Sequence, residues 1–196
     1  MAETKNEAIV IPTIEPKNLE KKGTDAILKV IVSYVANDMQ SKFISEYGNK
    51  MKEMPFELEG VLCKKNGWGA FVIDFMIQAC KLLKAKDYKF VSTQKISKIC
   101  AISFLGLLDI YELNQDKFYY NGKYFKYKNT ENALCTYERT IAICSKYGIS
   151  LDETDIECIS MYKHIENGDK MTLFHASPTA RLVYASYQLT KVDFSL

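Results

Sequence analysis

Histidine is nearly missing from this chain. Only His164 and His175 occur in 196 residues, both near the C-terminus, too few for a site of several imidazoles around a metal ion. No two of the six cysteines (Cys63, Cys80, Cys100, Cys135, Cys144 and Cys158) stand with two residues between them. That excludes a zinc knuckle and a thioredoxin-like redox pair. The expectation is six reduced thiols in or near the core, as in a reducing compartment. No apolar run approaches the roughly 20 residues that span a bilayer. The opening "MAETKNEAIVIPTIEP" holds only a four-residue apolar run before Pro12, not the apolar core of a signal peptide. Charge of either sign is also not in excess: 26 Lys and Arg against 24 Asp and Glu give a net charge of +2. Without a local patch, that balance implies neither nucleic acid nor an anionic membrane as partner. The expected location is the cytoplasm, or a phage particle assembled there. Abundant Lys, Ile, Tyr and Asn fit an AT-rich genome and a phage or mobile-element accessory or structural protein.

What is present is the composition of one folded domain. Hydrophobic residues make up 47% and charged residues 26% of the chain, enough apolar surface for a single core at this length. Residues 1–20, broken by Pro12 and Pro16, read as an extended arm whose "AIVI" can dock on a neighbouring surface. Residues 21–196 read as one helical domain. Thr24 or Asp25 caps a long helix in which Ile27, Ile31, Val35, Met39, Phe43 and Tyr47 recur every four residues. Leu28 and Val32 widen that stripe, and Gly48 and Asn49 end the helix. A central, nearly all-apolar helix runs from Ala70 to about Leu83, preceded by the turn "NGWG" with Trp68 as an anchor. Thr93 caps "TQKISKICAISFLGLLDIYEL", where Gly106 costs roughly 1 kcal/mol against alanine and marks a close helix approach or a kink. Further helices run from about Glu131 to Tyr147, ended by Gly148, and through "SLDETDIECISMYKHI", capped by Ser150 or Asp152. A last one follows Pro178.

Between these helices the period changes. "KFYYNGKYFKYK", about residues 117–128, places Asn121-Gly122 between two aromatic-rich runs, a strong hairpin signal. Tyr120, Lys123, Tyr124 and Lys126 form its candidate interaction surface, with tyrosines spaced to stack bases between lysines or to pack one face on the core.

The order of helices resembles the HD-domain superfamily, specifically the small bacterial and phage HD hydrolase-like proteins. The resemblance covers about Gly60 to the C-terminus and rests on layout. It implies an all-α, HD-domain-like bundle with one short β-hairpin. Gly106 and Leu107 of "AISFLGLLDI" then stand in place of the family's His-Asp pair. "CTYERT" takes the place of a Gly-His-Gly-Glu turn, keeping Glu138 but with Thr136 at the histidine. Tyr162 falls near a further expected histidine, Tyr184 and Tyr187 near an expected histidine and aspartate, and Ala70, Phe71 and Val72 at the earlier histidine helix.

The resemblance therefore implies a degenerate cleft lined by Thr136, Glu138, Tyr162, Tyr184 and Tyr187. It has no catalytic residues, no metal ligands and no cofactor, because such chemistry needs imidazoles and carboxylates converging on divalent ions. The expected function is a binding or assembly module with a protein partner or a second copy of itself. Two alternatives remain. A register shifted by one turn gathers Asp109, Glu138, Asp155 and His164 into an atypical site for Mg²⁺ or Mn²⁺ in a nucleotide phosphohydrolase. The Lys/Tyr hairpin alternatively binds nucleic acid.

Overall fold

The structure, a computed structural model, describes residues 23–54, 67–85, 89–113, 118–120, 125–127, 132–166 and 170–195. Of these, residues 53, 110–113, 118–120, 125–127, 132–135, 162–166, 170 and 193–195 are described by backbone alone. The architecture is all-α. The helices are α1 (Thr24–Val32), α2 (Gln40–Glu53), α3 (Gly67–Ala85), α4 (Thr93–Ile102), α5 (Leu105–Leu113), α6 (Asn132–Lys146), α7 (Glu153–Glu166), α8 (Lys170–His175) and α9 (Pro178–Ser195). Between α5 and α6, strands β1 (Phe118–Tyr120) and β2 (Phe125–Tyr127) pair antiparallel with Tyr119 opposite Lys126. The Asn121-Gly122 turn lies outside the described residues.

The core forms because α3 is apolar nearly all round and is wrapped by α1, α2, α4 and α9. Two aromatic nodes anchor it. Phe71 and Phe75 on α3 meet Phe104 and Tyr187, the Phe104 and Tyr187 rings stacking at 6.0 Å between centroids. Phe43 and Tyr47 on α2 meet the edge of Tyr147 at 5.0 and 5.8 Å. Trp68, in the first turn of α3 rather than in a turn before it, is fully buried and donates its indole N–H to the Phe104 carbonyl at 3.0 Å.

Two long helices expected from the periodicity are each interrupted. The one expected to end at Gly48 stops at Val32, passes through a 3₁₀ turn at Asn37–Met39 and resumes as α2, which runs through Gly48 to Glu53. The four-residue period hides this break because Ile27, Ile31, Val35, Phe43 and Tyr47 are all core residues on both sides of it. Polar groups close the joint. Ser33 Oγ donates to the Val30 carbonyl at 2.6 Å, and Gln40 Nε2 reaches the carbonyls of Val32 and Val35. The second helix breaks at Ser103–Phe104, where Ser103 Oγ bonds back to the Ile99 carbonyl at 2.7 Å.

Caps follow side-chain chemistry closely. Ser92, not Thr93, caps α4 by accepting from Lys95 N–H at 3.1 Å. Neither Thr24 nor Asp25 caps α1; Gly23 precedes it with no side-chain cap, and Asp25 pairs with Lys52 at 2.9 Å. Asp152 and Asp155 form a reciprocal capping box on α7, each carboxylate accepting from the other's N–H at 2.9 and 3.2 Å. Helix α6 ends as the glycine predicts. Gly148 has φ 65°, its N–H donates to the Ser145 carbonyl, and Ile149 N–H donates to the Cys144 carbonyl at 2.8 Å. Pro178 occupies the first position of α9 behind Ser177, whose Oγ accepts from Ala180 N–H.

Candidate functional site

Gly106 sits at a crossing with no spare room. Its N–H donates to Thr140 Oγ1 at 3.0 Å. A Cβ there would collide with the Thr136 carbonyl oxygen and stand 2.8 Å from the Thr140 nitrogen. Glycine is required because backbone meets backbone. Of the two functions expected for this residue, it serves the close approach of α5 to α6; the break in the helix falls earlier, at Ser103–Phe104.

The five candidate cleft residues disperse around this packing. Thr136 is buried beneath the α5–α6 crossing, and Glu138 is exposed on α6. Tyr187 is in the core against Phe71, Phe75 and Phe104, with the half-buried Tyr184 ring 6.0 Å away. The structure brings Tyr184 and Tyr187 together and puts Thr136 at a separate contact. Tyr162 lies on α7, its side chain outside the described residues, as are those of Tyr120, Lys126 and His164; Lys123 and Tyr124 fall outside altogether.

The carboxylates of the shifted-register site have other partners. Asp109 accepts from Tyr47 Oη at 2.8 Å. Burial, then this bond, pushes the Tyr47 phenol far above its ordinary pKa. Asp155 is fully buried and held by two ammoniums, Lys95 and Lys98, each at 2.6 Å. Lys98 also donates to the Ser150 carbonyl at 2.6 Å and lies over the Tyr34 ring. Lys95 additionally pairs with Asp152. Burial opposes the Lys95 charge, but its hydrogen bonds to both aspartates outweigh that and raise its pKa. Two ammoniums face two carboxylates that also cap α7, so this cluster clamps α4 to α7. Sequence reading missed the clamp. Its signal is the matched spacing of Lys95 and Lys98 on one helix with Asp152 and Asp155 on another. Among the described residues, no three His, Cys, Asp or Glu side chains converge as a metal site.

A different feature is open. Helices α1 and α2 flank a groove of about 610 Å³. Its apolar lining is Leu28, Val32 and Ile44, with Asp25 and Lys29 towards one end and Ser33 and Gln40 towards the other. Leu28 and Val32 are the second apolar row noted in the sequence. They pack against the edge of the core beside Ile27 and Ile31 and are only half covered. Because Ser33, Gln40 and Asp25 already have partners within the chain, the groove offers apolar contact and the Lys29 charge more than directed hydrogen bonds. That suits an apolar peptide segment better than a polar small molecule.

No family model matches the sequence, and neither a curated protein nor a solved structure matches it. Among the described residues, no helix is long and apolar enough to cross a membrane.

Proposed function

We propose that this chain is a binding or assembly module on an HD-like helical scaffold that has lost the hydrolytic site of that family. One observation carries the reading: where the resemblance puts the His-Asp pair, Gly106 is packed against the α6 backbone at Thr136 and Thr140. A metal ion with its ligands and a phosphate needs several ångströms of polar space, and this crossing excludes even a methyl group. The engagement of Asp109 by Tyr47, and of Asp155 by two lysines, gives further support. The surfaces assigned to partner contact, including self-association, are the Tyr120–Lys126 hairpin and the apolar arm.

The test is titration calorimetry with Mn²⁺ and Mg²⁺ alongside nucleotide turnover at saturating metal, with sedimentation velocity over a wide concentration range. Neither stoichiometric metal uptake nor turnover is expected, and sedimentation should reveal association. Turnover abolished by Asp109→Asn or Glu138→Gln would favour the hydrolase instead. A strictly monomeric chain with no partner would remove the assembly reading.

A further inference from the structure

The segment that best fits the groove between α1 and α2 is α1 itself, from a second copy of this chain. We propose that two copies pair about a two-fold axis near Leu28, with their α1 helices antiparallel and their grooves facing each other.

The charges on this face favour a second copy over an unrelated partner. Asp25, Leu28, Lys29 and Val32 stand at positions i, i+3, i+4 and i+7, so one stripe of α1 carries an acid, a base and two apolar side chains. A two-fold contact sets a patch against itself, so each charge must meet its opposite. This stripe meets that condition. With the axis at Leu28, Asp25 of one copy and Lys29 of the other fall on the same side of it, about 3 Å apart along the helix direction. A lysine side chain spans that offset, and symmetry repeats the pair. Both groups are open to it. Lys29 is exposed and, among the described residues, pairs with no carboxylate. Asp25 is 64% exposed at its side chain and meets Lys52 through Oδ1, which leaves Oδ2 for a second ammonium.

Apolar contact supplies the rest. Leu28 and Val32 are half covered, and Ile44 is 46% exposed on the α2 wall. Facing grooves gather these side chains from both copies around one shared centre, as in a four-helix bundle. Ser33 and Gln40 enter the contact already bonded to α1 carbonyls. Three apolar side chains per copy make a small contact beside standard interfaces of roughly 800 Å² per partner, so the pair is reversible and depends on concentration. This pairing rests on the self-association proposed above and gives it a surface.

The test is sedimentation velocity of the full-length chain over a wide concentration range. The unsubstituted chain should form a dimer, and Ile44→Glu, at a half-exposed position, should weaken it at least tenfold. Asp25→Lys and Lys29→Asp should each weaken it several-fold. An equimolar mixture of those two variants should regain the original affinity, because the mixed pair again sets opposite charges against each other. An unchanged Trp68 emission spectrum checks that each variant is folded. A dimer indifferent to Ile44→Glu, or a mixture no tighter than its components, overturns this pairing and leaves self-association through another surface standing. A chain monomeric throughout overturns both. Metal uptake or nucleotide turnover would count against the loss of the hydrolytic site and leave this contact untouched.

Discussion

The backbone N–H of Gly106 donates to Thr140 Oγ1 at 3.0 Å, and the same hydroxyl lies 3.4 Å from the Ser103 carbonyl. One threonine side chain thus closes the break between α4 and α5 and fixes the depth at which α6 crosses it. Adding a methyl at Gly106 must push the two backbones apart. Gly106→Ala should cost about 3 kcal/mol or more, read as a lower midpoint in chemical denaturation.

Gly48 provides the contrast. It is helical, and a Cβ there would meet only Leu28 Cδ2 at 3.7 Å and Ile44 Cγ2 at 3.9 Å, ordinary contacts. Gly48→Ala should therefore stabilise the protein by up to about 1 kcal/mol through helix propensity. If both variants shift the denaturation midpoint the same way, this account of the two glycines is wrong.

Removing the charge of Asp155 leaves Lys95 and Lys98 facing each other at the clamp. Asp155→Ala should cost about 3–5 kcal/mol, as when one partner of a buried pair is lost. Asp152→Ala, which mainly removes a cap, should cost only about 1 kcal/mol. The double variant Lys98→Met/Asp155→Leu should recover much of the first loss, because it removes the buried charges together. Urea titrations of the three variants give the ranking directly.

Stability should form a plateau in pH with two different edges. Hydrogen bonds from Lys95 and from the Asp155 N–H hold the Asp152 carboxyl below its ordinary pKa. For Glu46, burial works the other way but is outweighed by hydrogen bonds from Lys146 and Tyr147. Depressed acids contribute stability above the unfolded pKa of about 4, and it is lost as pH falls through the folded values. On the alkaline side, burial pushes the Cys144 and Cys158 thiols up to about 12. Their contribution is complete below the unfolded pKa of about 8.5 and is lost as pH rises from there towards the folded values. Denaturation midpoints should be flat between these edges and fall outside them.

Cys80, Cys100, Cys144 and Cys158 are buried free thiols. At neutral pH, a disulfide-exchange reagent should leave these four thiols unmodified in the folded protein and reach all six cysteines in guanidinium. Loss of that protection should coincide with the red shift of Trp68 emission, since the lone tryptophan is buried in the same core. Early reaction at these four sites would show that the core opens locally.

Much of the helical order was legible because it is written in short-range chemistry. The all-α class, the glycine stop at Gly148, the Asp152 cap and Pro178 at a helix start all follow from residues within one turn of each other. The need for a close approach at Gly106 was also legible, since a glycine inside an apolar helix has few other uses. What the sequence left open depends on partners distant along the chain. Periodicity ran through the joint at Ser33–Met39 because helices on both sides face one core. The clamp joins Lys95 to Asp152 and Lys98 to Asp155, each pair 57 residues apart, and no local pattern pairs them. Tertiary packing alone put Thr136 under Gly106 and Tyr187 among phenylalanines, and left Leu28 and Val32 at the edge of the core, lining a groove. Residue type and spacing set which surfaces must be covered; only the packed helices decide what covers them.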